Sequence, residues 1–292
     1  MAEPEMTGAG RQPRLKVPAN SCETHSHIYG PRSNYPLWPG RSGEPVCSLE
    51  AYNEMLARLG FERSVIVQPA AYGPDNRCTL DAIAARGLET TRGICVTKKD
   101  VSADELKAFH DQGIRGLRFF MMVDDFTLAD APAMAEKVAP LGWHIQFQNE
   151  GAWLEEAVAM FHDLPVDCVV DHIGRIGSGE PASDKGFQAL LKFLETGRGW
   201  VKISAPYYMS AGGYHGKDGA APDYADVSDH VRALVEARPD RLVWAANWPH
   251  PHFPLDDKPE DADCLDPMLG WVPDEKIRQM IFVENPAKLY GF

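Results

Sequence analysis

Short β-rich runs and amphipathic helical stretches alternate eight times along this chain, and that alternation restricts the fold more than any other feature. Strands are predicted at 20–27, 63–69, 92–97, 114–120, 143–149, 166–172, 200–204 and 241–247, most of them rich in Val, Ile, Phe or Trp as buried parallel strands are. Helices are predicted at 49–59, 79–85, 103–112, 131–141, 153–163, 187–195, 227–237 and 274–282. Ser102 with Glu105 forms a capping box, and Gly60, Gly113 and Gly142 stand where a helix hands over to the next strand. This order implies the α/β class and a (β/α)8 TIM-like barrel. The alternative is an open doubly wound sheet, which lacks its usual G-x-G-x-x-G after the first strand. Residues 19–292 are expected to form a single barrel domain, and residues 1–18 a flexible N-terminal extension.

Composition narrows the function classes. A chain of 292 residues that is 44% apolar can bury a large core. Its formal charge of -13 and the absence of a basic run argue against a nucleic-acid partner. No stretch approaches the roughly 18 apolar residues of a membrane span, and the polar opening segment has no signal-peptide centre. A cytoplasmic protein, monomeric or a small homo-oligomer, is expected. The six cysteines lie far apart with no C-x-x-C pair, which excludes a zinc ribbon and a thioredoxin-like motif and fits reduced thiols.

In a barrel the carboxyl ends of the strands converge on one mouth, where active sites lie. Here those ends carry His25 and His27, Gln68, Arg118, Gln146 and Gln148, His172, Lys202 and Ser204, and Asn247. A packed apolar barrel would not place such residues together. His25 and His27 are two apart on a strand, the spacing for holding a metal ion or two substrate oxygens, with His172 across the mouth. Asp171, of opposite parity to His172, is expected to be structural or to support a ligand. Arg118 is placed inward and Arg115 outward, so that the Arg118 guanidinium can clamp a carboxylate or sulfonate. Lys202 is either a second anion ligand or a structural cation, and Tyr207 offers a phenol to substrate or packs its loop. Loops 29–45, 174–185 and 209–224 follow strand ends and are expected to wall the pocket, Tyr35 and Trp38 either covering it or packing their own loop.

Across most of its length the chain resembles the amidohydrolase superfamily. The segments that carry the resemblance are His25-Ser26-His27-Ile28-Tyr29-Gly30, Val65-Ile66-Val67-Gln68, Gly113-Ile114-Arg115-Gly116-Leu117-Arg118-Phe119 and Gly142-Trp143-His144. Val170-Asp171-His172-Ile173-Gly174-Arg175, Trp248-Pro249-His250-Pro251 and Asn285-Pro286-Ala287-Lys288-Leu289-Tyr290 complete the set. Within the superfamily the chain is similar to the amidohydrolase-2 branch, which includes 2-pyrone-4,6-dicarboxylate lactonase and 4-sulfomuconolactone hydrolase. The resemblance implies an amidohydrolase-type barrel and a hydrolase of carboxylic ester bonds that opens a small anionic unsaturated lactone in aromatic-compound catabolism. His25, His27 and His172 would polarise the ester carbonyl or hold one divalent metal, zinc being a candidate. Arg118, Gln148, Lys202, Ser204, Tyr207 and His250 would surround the substrate.

The departures from the family pattern are informative. Gln146 and Gln148 fill the region of the strand-five histidine, so no binuclear centre is expected and either one metal or none is required. Asn247 stands where the family carries an Asp base, and an amide takes no proton at neutral pH. The base then lies elsewhere, at His172 or His250, or the chain is a substrate-trapping or inactive variant. Decarboxylation on the same barrel is the rival activity, and a catalytically dead binding protein the rival outside enzymology.

Overall fold

The fold is a computed structural model that describes residues 3–123, 126–150, 153–177, 179, 181–216 and 221–292. The expected loops 174–185 and 209–224 fall partly outside these residues. Eight parallel strands follow one another in sequence order around one sheet. They are β1 (Cys22–Ser26), β2 (Arg63–Val67), β3 (Thr91–Cys95), β4 (Ile114–Phe120), β5 (His144–Gln148), β6 (Cys168–Val170), β7 (Gly199–Ser204) and β8 (Leu242–Ala245). Each neighbouring pair is parallel, with Cys22 opposite Arg63, Gly116 opposite His144 and Val201 opposite Leu242. The eightfold alternation therefore builds the expected barrel, with no open-sheet order.

Helices α1 (Leu49–Leu59), α2 (Arg77–Arg86), α3 (Ala103–Asp111), α4 (Ala131–Val138), α5 (Leu154–Phe161), α6 (Lys185–Glu195) and α7 (Ser228–Ala237) connect the strands. The predicted capping box forms at α3, where Ser102 Oγ accepts from Glu105 N and Glu105 returns the bond. α1 ends at Gly60, whose φ of 90° is left-handed and free of cost only for glycine. The predicted helix 274–282 is interrupted instead: Glu275–Gln279 is α-helical, Met280–Glu284 widens to a π turn, and Asn285–Tyr290 resumes the α-helix. A short helix, α8 (Asp261–Leu265), follows β8. Among the described residues no helix is long and apolar enough to cross a membrane.

β8 and β1 meet without a regular ladder. Ala246 N donates to Glu23 Oε1, Asn247 N to the His25 carbonyl and His27 N to the Trp248 carbonyl, at 2.9, 2.9 and 2.8 Å. A register shift between Glu23 and Ser26 lets neighbouring side chains diverge. Glu23 turns to the Tyr52 hydroxyl of α1, whereas His25 reaches the barrel centre.

Of the extension expected over 1–18, the described residues 3–18 lie against the barrel. Met6 N donates to the Val46 carbonyl at 2.8 Å, and Leu15 is buried. Asp266 Oδ1 accepts from Arg14 N and Leu15 N at 2.7 and 3.0 Å, while Arg11 pairs with Asp263 and Asp266. Arg11 and Arg14 of this segment are complementary to the acidic residues in and after α8.

Candidate active site

The barrel centre is a polar cluster. Lys202 Nζ on β7 donates to Gln146 Oε1 at 2.6 Å and to the Thr24 carbonyl at 2.9 Å. It stands 3.3 Å from His25 Nδ1 and 3.5 Å from Asp171 Oδ1. Gln146 Nε2 donates to Asp171 Oδ2 at 2.8 Å. Burial pushes the Lys202 ammonium down to about 8, against the pull of the Asp171 and Glu23 carboxylates. Lys202 is fully buried inside the barrel among these partners and is not among the cleft-lining residues.

Asp171 is more central than its parity suggested. β6 stops at Val170, short of the predicted 172, and His172, Ile173 and Gly174 all take positive φ values of 52°, 53° and 79°. The chain thereby leaves strand geometry, and strand parity no longer separates Asp171 from His172. Asp171, His172 and His25 have ligand atoms within 4.8 Å of one another. His172 Nδ1 lies 2.7 Å from Ser204 Oγ, so β7 fixes the ring of a residue two positions beyond β6.

His27 Nδ1 lies 2.7 Å from the Val67 carbonyl, a group that only accepts. The proton is therefore on Nδ1, and the Nε2 of neutral His27 is a lone pair. Burial and the nearby Arg118 push His27 down to about 3, and burial with Lys202 holds His25 well below its ordinary value. Burial likewise lowers His172. These imidazoles are neutral, so they act through lone pairs and N–H groups.

A cleft opens above this cluster, lined by His27, Tyr29, Glu44, Arg118, Phe120, Gln148, Arg175, Tyr208, Asn247 and His252 among others. Arg118 donates to the Gln68 carbonyl and to Gln148 Oε1 at 2.8 and 2.9 Å, and its guanidinium lies over the Phe120 ring. Of the residues predicted for the site, His27, Arg118, Gln148 and Asn247 line the cleft. His25 and His172 are buried behind it, His25 in ring contact with His27 and His172 with Tyr208. Ser204, Tyr207 and His250, expected around the substrate, bond to His172, Asn247 and the Tyr207 hydroxyl and are not among the cleft-lining residues.

Sequence reasoning missed Arg175 as a cleft residue. Its guanidinium stacks 4.0 Å over the Tyr208 ring and pairs with Glu150. It closes a run of four positive-φ residues, 172–175, so no strand parity aims it and only the fold brings it to the cleft. Tyr35 bonds to Asp81 and packs toward Tyr72, and neither it nor Trp38 lines the cleft.

Comparison with known proteins agrees with this architecture. A family model described as amidohydrolase matches residues 22–292. A 2-pyrone-4,6-dicarboxylate hydrolase of Comamonas testosteroni is 35% identical over 284 residues, covering 96% of this chain and 92% of that one. A 4-sulfomuconolactone hydrolase of Hydrogenophaga intermedia is 29% identical, covering 95% and 91%. The apo crystal structure of an Agrobacterium tumefaciens protein superimposes with a TM-score of 0.84 at 28% identity, covering 96% of this chain and 98% of that one. With the match running from β1 to the final residue, the chain belongs to the amidohydrolase family.

Proposed function

We propose that this chain is a hydrolase that opens the ring of a small, unsaturated, anionic lactone of the pyrone-dicarboxylate or sulfomuconolactone kind. The observation that carries the reading is a cleft in which Arg118 and Arg175 share the walls with His27 and Asn247. Two guanidiniums suit a substrate with more than one anionic group, each able to take a carboxylate or sulfonate by paired hydrogen bonds. The relatives named as hydrolases of such lactones support the same substrate class.

Arg118 holds an anionic group of the lactone, with its guanidinium already aimed by Gln148 and the Gln68 carbonyl. His27 meets the ester carbonyl at the cleft wall, with His25 and His172 behind it. Water adds to that carbonyl, the ring C–O bond breaks, and the proton that the water gives up ends on the departing ring oxygen, so both the hydroxyl and the hydrogen of the water are in the ring-opened product. Asn247 accepts a hydrogen bond from the attacking water and takes no proton from it.

A single divalent cation fits the same side chains. His25 Nε2 and His27 Nε2 lie 3.3 Å apart. Two nitrogens each about 2.0–2.1 Å from one tetrahedral zinc are separated by about that distance. Asp171 Oδ1, buried without a hydrogen-bond partner, is placed to orient His25 through its Nδ1 at 3.4 Å. Held by His25, His27 and His172, such an ion would add Lewis-acid polarisation of the carbonyl.

The test is a spectrophotometric ring-opening assay on a panel of unsaturated anionic lactones, run on the chain and on Asn247→Asp, with and without added zinc. Ring-opened acid from either protein is the expected product. An Asp variant faster by ~100-fold makes 247 the position of the base, and a faster unaltered chain makes the amide part of the mechanism. No turnover by either protein, or release of CO2 in place of a ring-opened acid, overturns the reading.

A further inference from the structure

Behind Asn247 runs a buried chain of polar groups that leads away from the cleft. Asn247 Nδ2 donates to the Tyr207 hydroxyl oxygen at 2.9 Å. That hydroxyl lies 2.9 Å from His250 Nδ1, and His250 Nε2 lies 3.0 Å from Asp261 Oδ1. The other oxygen of Asp261 accepts from Arg58 Nη2 at 2.6 Å. Tyr207, His250 and Asp261 are all buried, and Asn247 is 2% exposed.

The hydrogen-bond polarity follows from the ends. Asp261 is opposed by burial but held below its ordinary value by His250 and Arg58, so it is a carboxylate that only accepts. His250 Nε2 therefore carries a proton. With the Asn247 amide nitrogen donating to the phenol oxygen, the phenol proton points onward to His250 Nδ1, which accepts. The imidazole is neutral, and the Asn247 oxygen is left on the side away from Tyr207. A carboxylate at 247 reverses this order: it cannot donate, so the phenol donates to it, and His250 Nδ1 must then donate to the phenol oxygen. His250 becomes doubly protonated.

We propose that Tyr207, His250 and Asp261 form a polarised relay that couples the residue at 247 to the protonation of His250 and holds the Asn247 amide oxygen toward the cleft. Tyr207 and His250 are positioning residues, acting through Asn247. The charged and titratable groups facing His250 are Tyr207 at Nδ1, Asp261 at Nε2 and Lys258, which donates to the His250 carbonyl at 3.0 Å. Lys258 is paired with Glu44 at 2.7 Å and Asp261 with Arg58, so neither end of the relay carries an unpaired charge. An aspartate at 247 therefore arrives with a proton on His250, and the charge behind the cleft is balanced within the relay.

The deciding measurement is the histidine protonation state by nitrogen-15 NMR of the full chain near neutral pH, with His250 assigned through His250→Gln. The expected result is a neutral His250 protonated on Nε2, and a doubly protonated His250 in Asn247→Asp at the same pH. Protonation on Nδ1 in the unaltered chain, or one state shared by both proteins, overturns the coupling. A kinetic arm rests on the lactone-hydrolase reading: Tyr207→Phe, with its tertiary circular dichroism intact, lowers kcat at least about tenfold with KM within about threefold. A kcat within about twofold overturns the positioning role. Absence of all lactone turnover defeats the hydrolase reading and not the relay, which the spectra decide by themselves.

Discussion

Glu23 Oε1 accepts the backbone N–H of Ala246 at 2.9 Å, so a buried carboxylate joins the last strand of the barrel to the first. The same oxygen accepts from His25 N at 2.8 Å, and Oε2 accepts from Ser26 Oγ and the Tyr52 hydroxyl at 2.8 and 2.7 Å. Four donors thus converge on one side chain with no exposure to solvent.

Glu23→Ala is expected to lose about 3 kcal/mol of stability, because it strands two buried N–H groups that cost about 1–3 kcal/mol each. Glu23→Gln keeps an acceptor oxygen for both and is expected to stay within about 1 kcal/mol of the unaltered chain. Burial raises the Glu23 carboxyl, while the bonds from Ala246, Tyr52, His25 and Ser26 pull it back. The net shift is upward, so the stabilisation from this shift is complete below the unfolded carboxyl value and is lost as pH rises through the higher folded value. Denaturant unfolding of the two variants checks the ranking; equal losses would remove Glu23 as the closing clasp.

His172→Ala is expected to lower kcat for lactone ring opening by ~10²–10³, the usual cost of removing one preorganised partner of a developing oxyanion. Ser204→Ala, which only frees the His172 ring, should cost about tenfold or less. Steady-state kinetics on the two variants check this, and an unchanged kcat in His172→Ala sets the ring outside the chemistry.

Arg118→Met removes the guanidinium that lies over the Phe120 ring and leaves an apolar side chain in its place. For an anionic lactone kcat/KM is expected to fall by ~10², chiefly through KM, with little change for a neutral lactone of the same ring. Equal losses on the two substrates would make Arg118 a structural cation.

Asp266→Asn is expected to release the N-terminal arm. Burial opposes the Asp266 charge, but the donors Leu15 N, Arg11 and Arg14 outweigh it and hold the carboxyl below its ordinary value. The stabilisation it supplies is complete above the unfolded carboxyl value of about 3.9 and disappears as pH falls through the lower folded value. Limited proteolysis near neutral pH should cut the variant within residues 3–18 well before the unaltered chain, whose arm is held by Asp266. Equal cleavage rates would show that Leu15 burial alone holds the arm.

The barrel was legible because its signals are local. A buried parallel strand needs an apolar run, a helix needs its 3.6-residue stripe and caps, and both are written in contiguous residues such as Ile114–Phe120 and Leu49–Leu59. The inward direction of Arg118 and Gln148 was legible too, since β4 and β5 keep an unbroken register from Gly116 to Phe120. The reading failed where the backbone leaves the regular period. Asp171 and Arg175 were undervalued because four successive positive-φ residues, 172–175, follow Asp171 at the end of β6, and Glu23 was passed over because a register shift turns it away from His25.

The sequence by itself determined the eightfold barrel, the polar mouth and the histidines and arginine that gather there, because strand period and strand end are properties of short segments. Only the tertiary structure decided which of those residues reach the cleft and which stand behind it. Residues such as Asn247, Tyr207, His250 and Asp261 are joined by hydrogen bonds across three separate segments, and their polarity is fixed by the last partner, Arg58, on a helix far away in the chain. A hydrogen bond is set by the distance and direction of both its partners, and no window of sequence contains them both.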